Sequence, residues 1–245
     1  MRTRQRTSVS GLRGCDGKLA SKSRKKIRGE GRRCSGQKNS ATGRAHAGSL
    51  YTAVLAIGLT GSIASGKEAV ASMLIEAGFV YFSLSDRVRE EAGRCGFQPP
   101  SRRDLQHIGN ELRGKFGPTV LAQRTLEKID AAGVAEVVVD GFRNPHEVEC
   151  FRQRTRFYLV AVDAPTTTRF ERLLERRRPG DPETLPEFLE LDARDRGLGE
   201  SREGQQVGAC LKLATFSVWN EGSLEDLRQK LDALLTRIPR TSRSC

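Results

Sequence analysis

A glycine-containing segment near residue 60 has the residue types that bind phosphate groups. It consists of seven consecutive residues, Gly61, Ser62, Ile63, Ala64, Ser65, Gly66 and Lys67. Glycines allow backbone angles that turn consecutive N–H groups inward into an anion-binding nest. A helix that begins near the lysine would point its positive end at the anion. We therefore expect these residues to bind a nucleoside triphosphate, with Lys67 paired to the terminal phosphates as a catalytic residue.

The residue after the lysine departs from the phosphate-binding pattern. That pattern has a serine or threonine there, whose hydroxyl ligates Mg²⁺, whereas this chain has Glu68. A carboxylate can also bind Mg²⁺, but the glutamate side chain is longer, charged and close to the expected phosphate oxygens. Two interpretations stay open: the metal is held differently, by Glu68, Asp140 and water molecules, or catalysis is weakened.

A second acidic position lies at the end of the valine-rich segment 136–140. Asp140 is expected to reach the Mg²⁺ shell directly or through water; the alternative is a strand-end carboxylate that caps the next turn. Arg143 follows three residues later. It is expected to hold a phosphate of the acceptor in the same cleft, unless it is an ordinary arginine of a surface loop.

The segment after the second apolar run has an acidic and a basic side chain one helical turn apart. Asp86 can accept a proton from a substrate hydroxyl, and Arg89 can bind a substrate phosphate. The alternative is that Asp86 caps a helix and Arg89 is solvated. We take Asp86 as a candidate catalytic residue and Arg89 as a candidate acceptor-binding residue.

Arginines are concentrated in the predicted helix 165–177 and just beyond it. Arg169, Arg172 and Arg176 share one helix face. A lid that carries arginines, predicted at about 177–199, would exclude water and stabilise the charge on a transferred phosphoryl group; a solvated charged helix is the alternative. Arg172 and Arg176 are the candidate catalytic residues here, and Asn220, after the last strand, is expected to frame the nucleotide base.

Five apolar segments alternate with helix-favouring segments along the chain. This alternation predicts an α/β fold with a five-stranded parallel sheet covered by helices on both faces. Ligands of such sheets bind beyond the carboxyl ends of the strands, where all of the candidate residues lie. The predicted strands are residues 54–59, 79–82, 136–140, 157–162 and 216–219.

The positive charge of the chain is confined to its beginning. Of 42 basic and 30 acidic side chains, 14 basic and 2 acidic ones lie in residues 1–50, so the remainder has 28 of each. Residues 1–48 contain few large apolar side chains and are predicted to be disordered. A tail without specific function, an arm that contacts nucleic acid or an anionic surface, and a targeting segment all stay open.

The expected domain is residues 49–240, followed by a short tail, 241–245. Nucleic-acid binding is not expected of this electrically neutral domain. The six scattered cysteines indicate neither a zinc site nor a disulfide framework. Together with the lack of an apolar run long enough for a membrane span, they favour a cytoplasmic protein without a membrane partner. The sequence predicts no oligomeric state.

Two segments resemble dephospho-CoA kinases: Gly58–Lys67 and the segment Asn220–Leu227. The segments Asp140–Arg143 and Ser85–Arg89 are closer to adenylate-kinase-like enzymes. The resemblance covers about residues 54–238. It implies a three-layer P-loop NTPase fold with a short lid, ATP and Mg²⁺ as the phosphoryl donor, Asp86 as the base, and Arg89 and Arg143 on the acceptor.

The sequence thus predicts ATP-dependent phosphoryl transfer to a small nucleotide-like acceptor, with dephospho-CoA as the first acceptor to test. A (deoxy)nucleoside monophosphate kinase is the alternative within the same class. Outside that class, a catalytically weak ATP-binding regulatory module is suggested by Glu68, and nucleic-acid binding by the basic tail.

Overall fold

The computed structural model describes residues 54–97, 99–178 and 180–240, without the side chains of Arg102 and Arg103. The predictions made for residues 1–48 and 241–245 lie outside these described residues.

Five parallel strands form one sheet in the spatial order β2-β3-β1-β4-β5. Each pair of neighbouring strands runs in the same direction. The predicted five-stranded parallel sheet is therefore confirmed, and the first strand lies at its centre. The strands are β1 (Leu55–Thr60), β2 (Val80–Ser83), β3 (Glu136–Asp140), β4 (Arg156–Asp163) and β5 (Phe216–Trp219).

Helices cover both faces of the sheet, which gives the predicted three-layer arrangement. Side chains alternate between the two faces along the central strand, so Ala56 packs into one core and its neighbours Leu55 and Ile57 into the other. The helices are α1 (Lys67–Glu76), α2 (Leu84–Arg94), α3 (Arg102–Phe116), α4 (Val120–Ala132), α5 (Pro145–Arg154), α6 (Thr166–Arg176), α7 (Leu185–Asp195), α8 (Val207–Lys212) and α9 (Leu224–Leu235).

The two faces are covered by different helices. The first core contains apolar side chains of α2, α3, α4, α5 and α8, and the second those of α1 and α9. A third, small cluster joins Ile63 of the phosphate-binding loop to Leu173 of α6 and Phe188 of α7. Because Phe188 is fully buried, the segment predicted as a lid is packed against the loop that it would cover.

Two helices lie in segments where the sequence predicted none. Helix α7 occupies the middle of the predicted lid, and α8 follows it. Helix α4 begins at Val120, two residues after Pro118, because Pro118 and Thr119 form a turn before it. Within the described ranges, no helix is long and apolar enough to cross a membrane.

Candidate functional site

A cleft of about 470 Å³ lies at the carboxyl ends of the central strands. It extends from the loop after β1 to the facing helices α2 and α3. Its lining includes seven basic side chains against four acidic ones, so the cleft suits an anionic ligand. The basic side chains are Lys67, Arg89, Arg113, Arg143, Arg172, Arg176 and Arg178, and the acidic ones are Glu68, Asp140, Asp181 and Asp195.

The loop after β1 has the backbone geometry of a phosphate-binding nest. Gly61, Ala64 and Gly66 have positive φ angles of 150°, 58° and 96°. A Cβ on Gly61 would lie 2.0 Å from the carbonyl oxygen of Val162 on β4, so only glycine fits there. In this conformation Lys67 Nζ donates to the carbonyl oxygens of Gly61 and Ser62, at 2.8 Å each, and thus lies across the loop.

Six of the eight predicted loop residues border the cleft, and two support the loop from behind. The residues from Ile63 to Glu68 line it. Gly61 and Ser62 contribute the carbonyl groups that accept from the lysine, and the Ser62 hydroxyl also accepts from Arg196 at 2.8 Å. Ser65 Oγ is buried and lacks a partner among the described residues, so it is placed to bind a ligand.

Asn220 supports the loop rather than lining the cleft. Its side chain is buried, and its Nδ2 donates to the carbonyl oxygen of Ser65 at 2.9 Å. Its Oδ1 accepts from Arg172 Nη2 at 3.4 Å. A Cβ on Gly66 would lie 2.2 Å from Asn220 Nδ2, which explains the glycine at that position. The predicted contact of Asn220 with a base therefore stays a prediction.

Asp140 is brought beside the loop by the sheet, because β3 is the direct neighbour of β1. Its Oδ1 is buried and has no hydrogen-bond partner within the described part of the chain. Burial, followed by the negative charge of Asp140, raises the pKa of the Tyr81 phenol, which also lines the cleft. An unpartnered buried carboxylate oxygen is a suitable ligand for a cation.

The arrangement fits Mg²⁺ held by one side chain. Mg²⁺ in phosphoryl-transfer sites keeps several water ligands and takes one or two carboxylates plus substrate phosphates. The protein therefore needs to supply only one carboxylate ligand, and Asp140 can supply it. The described residues contain no group of three or more histidine, cysteine or acidic side chains that could hold a metal ion.

Glu68 lies at the edge of the cleft, where its carboxylate is occupied by an arginine. Its two oxygens accept from Arg178 Nη1 and Nη2 at 2.8 and 2.7 Å. This hydrogen bonding lowers the pKa of Glu68. The predicted contact of Glu68 with a metal stays a prediction, and in this conformation it would compete with Arg178. Instead, the side chain links α1 to the segment that follows α6.

Asp86 and Arg89 are paired with each other. The Nη1 atom of Arg89 donates to Asp86 Oδ1 at 2.6 Å, and both side chains are partly exposed. Arg89 lines the cleft as predicted, whereas Asp86 is not among the lining residues. The structure thus brings the predicted acceptor-binding arginine, Arg89, to the cleft. The predicted base, Asp86, lies one helical turn before it on α2 and does not line the cleft.

The three arginines on the shared face of α6 have different environments. Arg169 is fully buried and makes two hydrogen bonds to Asp192 of α7, at 2.6 and 2.9 Å, so it fastens α7 to α6 and is not free for a phosphate. Arg172 lines the cleft, and its buried Nη1 lacks a partner among the described residues. Arg176 also lines the cleft, and its Nε and Nη2 atoms both donate hydrogen bonds to the Asp181 carboxylate.

Sequence reasoning missed a second group of residues that line the cleft. They are Arg113 and Gln106 of α3, and both are buried. Arg113 is bonded to Glu147 of α5, 34 residues away in the chain, so no sequence spacing could have indicated the pair. Arg143, which the sequence did predict, also lines the cleft, with its Nη1 3.2 Å from Gln205 Oε1 and 3.4 Å from Asp195 Oδ1.

Known proteins match most of the described chain. Residues 57–190 match the family described as AAA domain. A UPF0200 protein of Hyperthermus butylicus is 37% identical over 185 residues, which cover 76% of this chain and 94% of that protein. UPF0200 protein PH1008 of Pyrococcus horikoshii is 31% identical over 192 residues, covering 76% and 96%. The crystal structure of TT1252 from Thermus thermophilus shares the fold at 24% identity, with a TM-score of 0.50 and coverage of 76% of this chain and 99% of that one.

Proposed function

The chain belongs to the UPF0200 family, and from the geometry of its cleft we propose that it is an ATP-dependent phosphotransferase for a small nucleotide-like acceptor. The observation that carries this proposal is the shared cleft. One cavity joins the phosphate-binding loop, the unpartnered Asp140 Oδ1 and a second set of basic side chains, Arg89, Arg113 and Arg143. A site that only bound a triphosphate would not need this second set, whereas a transferase must hold donor and acceptor together.

The residues divide the work of phosphoryl transfer between them. The loop N–H groups and Lys67 hold the donor phosphates, and Lys67 must leave the two loop carbonyls that it caps in this structure. Asp140 would hold Mg²⁺, which neutralises charge on the phosphates. Arg172 donates its free Nη1 to the transferred group, where charge spreads over the equatorial oxygens in the transition state. Arg176 would be a second arginine that donates to the transferred group, after it leaves Asp181.

The reaction forms one bond and breaks one. An oxygen of the acceptor attacks the γ-phosphorus of ATP, and the bond from that phosphorus to the bridging β,γ-oxygen breaks, releasing ADP. If the attacking group is a hydroxyl, its proton must be accepted, and Asp86 stays the predicted acceptor of that proton. The transition state is loose, so positioning and charge stabilisation contribute more than the base.

Dephospho-CoA is the first acceptor to test, and a (deoxy)nucleoside monophosphate is the alternative. The test is ADP production by the purified full chain with Mg·ATP, alone and with dephospho-CoA, AMP, CMP or dCMP. Stimulation by one acceptor, and its loss in Lys67→Ala, is the expected result. A transfer product on a ribose hydroxyl supports the first acceptor, and one on a phosphate oxygen supports the second.

One observation favours a second candidate, an ATP-binding regulatory module with weak turnover. The Glu68 carboxylate replaces the expected hydroxyl and is held by Arg178, so the site lacks one ligand that Mg²⁺ has in related loops. ATP binding that Lys67→Ala abolishes, together with no stimulation by any acceptor of the panel, would support the module and contradict the transferase.

A further inference from the structure

One face of α3 lines the same cleft as the phosphate-binding loop. Gln106, Gly109 and Arg113 follow one another at a spacing of three and four residues, so they share this face, and all three line the cavity. The side chains of Gln106 and Arg113 are almost fully buried, at 8% and 3% exposure. A polar face of this kind inside a cleft needs a partner.

Arg113 is held in a fixed orientation by a fully buried carboxylate. Its Nε and Nη2 donate to Glu147 Oε1 at 2.9 and 2.8 Å. The other oxygen of Glu147 accepts from the backbone N–H groups of Arg143 and Asn144, at 3.0 and 3.1 Å. Glu147 therefore ties α3 to the loop after β3 and to the start of α5, so the guanidinium is preorganised without any ligand.

Two N–H donors remain unpartnered on this face. Arg113 Nη1 and Gln106 Nε2 are both buried and have no hydrogen-bond partner within the described ranges. A buried donor without a partner destabilises the folded protein, so two on one helix face indicate that a ligand supplies the acceptor atoms.

A glycine leaves room for such a ligand. A Cβ on Gly109 would lie 3.4 Å from Arg113 Nη1 and 3.7 Å from Val88 Cγ2. Glycine in the interior of a helix destabilises it relative to alanine. The open space beside the free nitrogen is therefore kept against the preference of the helix.

We propose that Gln106, Gly109 and Arg113 form the subsite that holds an anionic group of the acceptor, a phosphate monoester or a carboxylate. An anion supplies several acceptor oxygens to guanidinium and amide donors, and the nearby Arg143 and Arg89 add positive charge while Glu147 neutralises part of it. The subsite shares one cleft with the donor loop and Asp140, so a bound anion would hold the acceptor in the cavity that receives the donor phosphates. This inference rests on the proposed phosphoryl transfer, whose acceptor it narrows to anions.

The test measures anion binding with the donor loop already filled. Ligand-observed NMR on the full chain saturated with Mg·ADP would compare glycerol 3-phosphate, glycerate and uncharged glycerol, which share hydroxyl groups and differ in charge. At least one anion is expected to bind about tenfold more tightly than glycerol. The tighter of the two anions identifies the chemistry of the acceptor.

Two substitutions test the residues without removing the buried arginine. Gly109→Ala fills the space beside Nη1 while favouring the helix, and Gln106→Glu places a negative charge there at constant size. Each is expected to weaken anion binding by about tenfold. Two variants serve as matched controls and are expected to bind anions as the wild type does. Gly114→Ala adds a Cβ that would meet open space on the same helix. Gln123→Glu adds the same charge at an exposed position of α4.

The outcomes separate this subsite from the proposed function. Undetectable anion binding, equal binding of glycerol, or unchanged binding in both variants overturns the subsite, even if the kinase assay succeeds. Anion binding that both variants weaken, in a protein that no acceptor stimulates, keeps the subsite and overturns the transferase.

Discussion

At the scale of single residues, the ion pair between Glu68 and Arg178 makes a specific prediction. The pair occupies the position where a hydroxyl would bind Mg²⁺, and its side chains are half exposed or more, at 67% and 51%. We expect Glu68→Ser to raise Mg²⁺-dependent turnover severalfold, because it supplies the hydroxyl and releases Arg178. Stability should change by less than about 1 kcal/mol, as for other exposed pairs. Initial rates over a Mg²⁺ titration and thermal unfolding measure the two effects.

Arg178→Gln is the matched variant, because it breaks the same pair without adding a hydroxyl. A gain in both variants assigns the effect to release of the segment after α6, and a gain in Glu68→Ser alone assigns it to the metal. Lower turnover in Glu68→Ser would show instead that the glutamate has a positive role, and the interpretation that Glu68 weakens Mg²⁺ binding would be wrong.

The site residues that could be predicted from sequence are those whose signal is local. The loop from Gly61 to Lys67 is contiguous and lies between a strand and a helix, so its pattern alone predicted phosphate binding. Asp140 could be predicted as a site residue from its place at a strand end. Arg113 was not predicted, because its meaning depends on Glu147, which only the packing of α3 on α5 brings within hydrogen-bond distance.

At the scale of elements, helix α6 separates arginines that the sequence could not tell apart. Arg169 and Arg172 lie on the same face, but only the first is paired to a carboxylate inside the protein, Asp192. We expect Arg169→Gln to lower the free energy of unfolding by about 2–3 kcal/mol, because the buried Asp192 loses its two hydrogen bonds from Arg169 and keeps the one from Arg196 Nε at 3.2 Å. Arg172→Gln should lower turnover by about 10²-fold with little change in stability. Chemical denaturation and acceptor-dependent ADP release measure these effects.

Arg228→Gln, on α9 at the surface and paired with Glu76, is the control for loss of an exposed arginine and should change neither quantity. If Arg169→Gln kept full stability, the buried pair would not fasten α7 to α6. If Arg172→Gln kept full turnover, the unpartnered nitrogen would not face the transferred group.

Strand positions were more predictable than the helix of the lid. Strands β3 and β5 begin and end where their valine-rich and aromatic runs predicted. Helix α7 was missed because five of its eleven residues are charged and Phe188 is its one fully buried apolar anchor. Its start did carry a local signal, since Thr184 and Glu187 form a capping box. Polar composition alone therefore did not distinguish a helical lid from a loop.

At the scale of the whole molecule, sheet topology explains why residues far apart in sequence share one cleft. The central strand β1 has β3 on one side and β4 on the other, so the phosphate-binding loop lies between Asp140 and the start of α6. The order of strands could not be predicted from the alternation of strands and helices, which is compatible with several orders.

The distribution of charge predicts that nucleic-acid binding and catalysis can be separated. Residues 1–50 have 14 basic and 2 acidic side chains, and the other 195 residues are balanced. Contacts between basic side chains and phosphates release counterions and weaken steeply as salt rises. We expect deletion of residues 1–48 to abolish salt-sensitive binding to duplex DNA and to leave acceptor-dependent ADP release within about twofold, because the described cleft is built entirely from residues after 54.

Fluorescence anisotropy at 50 and 200 mM salt, with the ADP assay on the same samples, measures both. DNA binding that survives the deletion with the same salt dependence would place the contact on the neutral domain, and loss of ADP release would show that the tail contributes to the site.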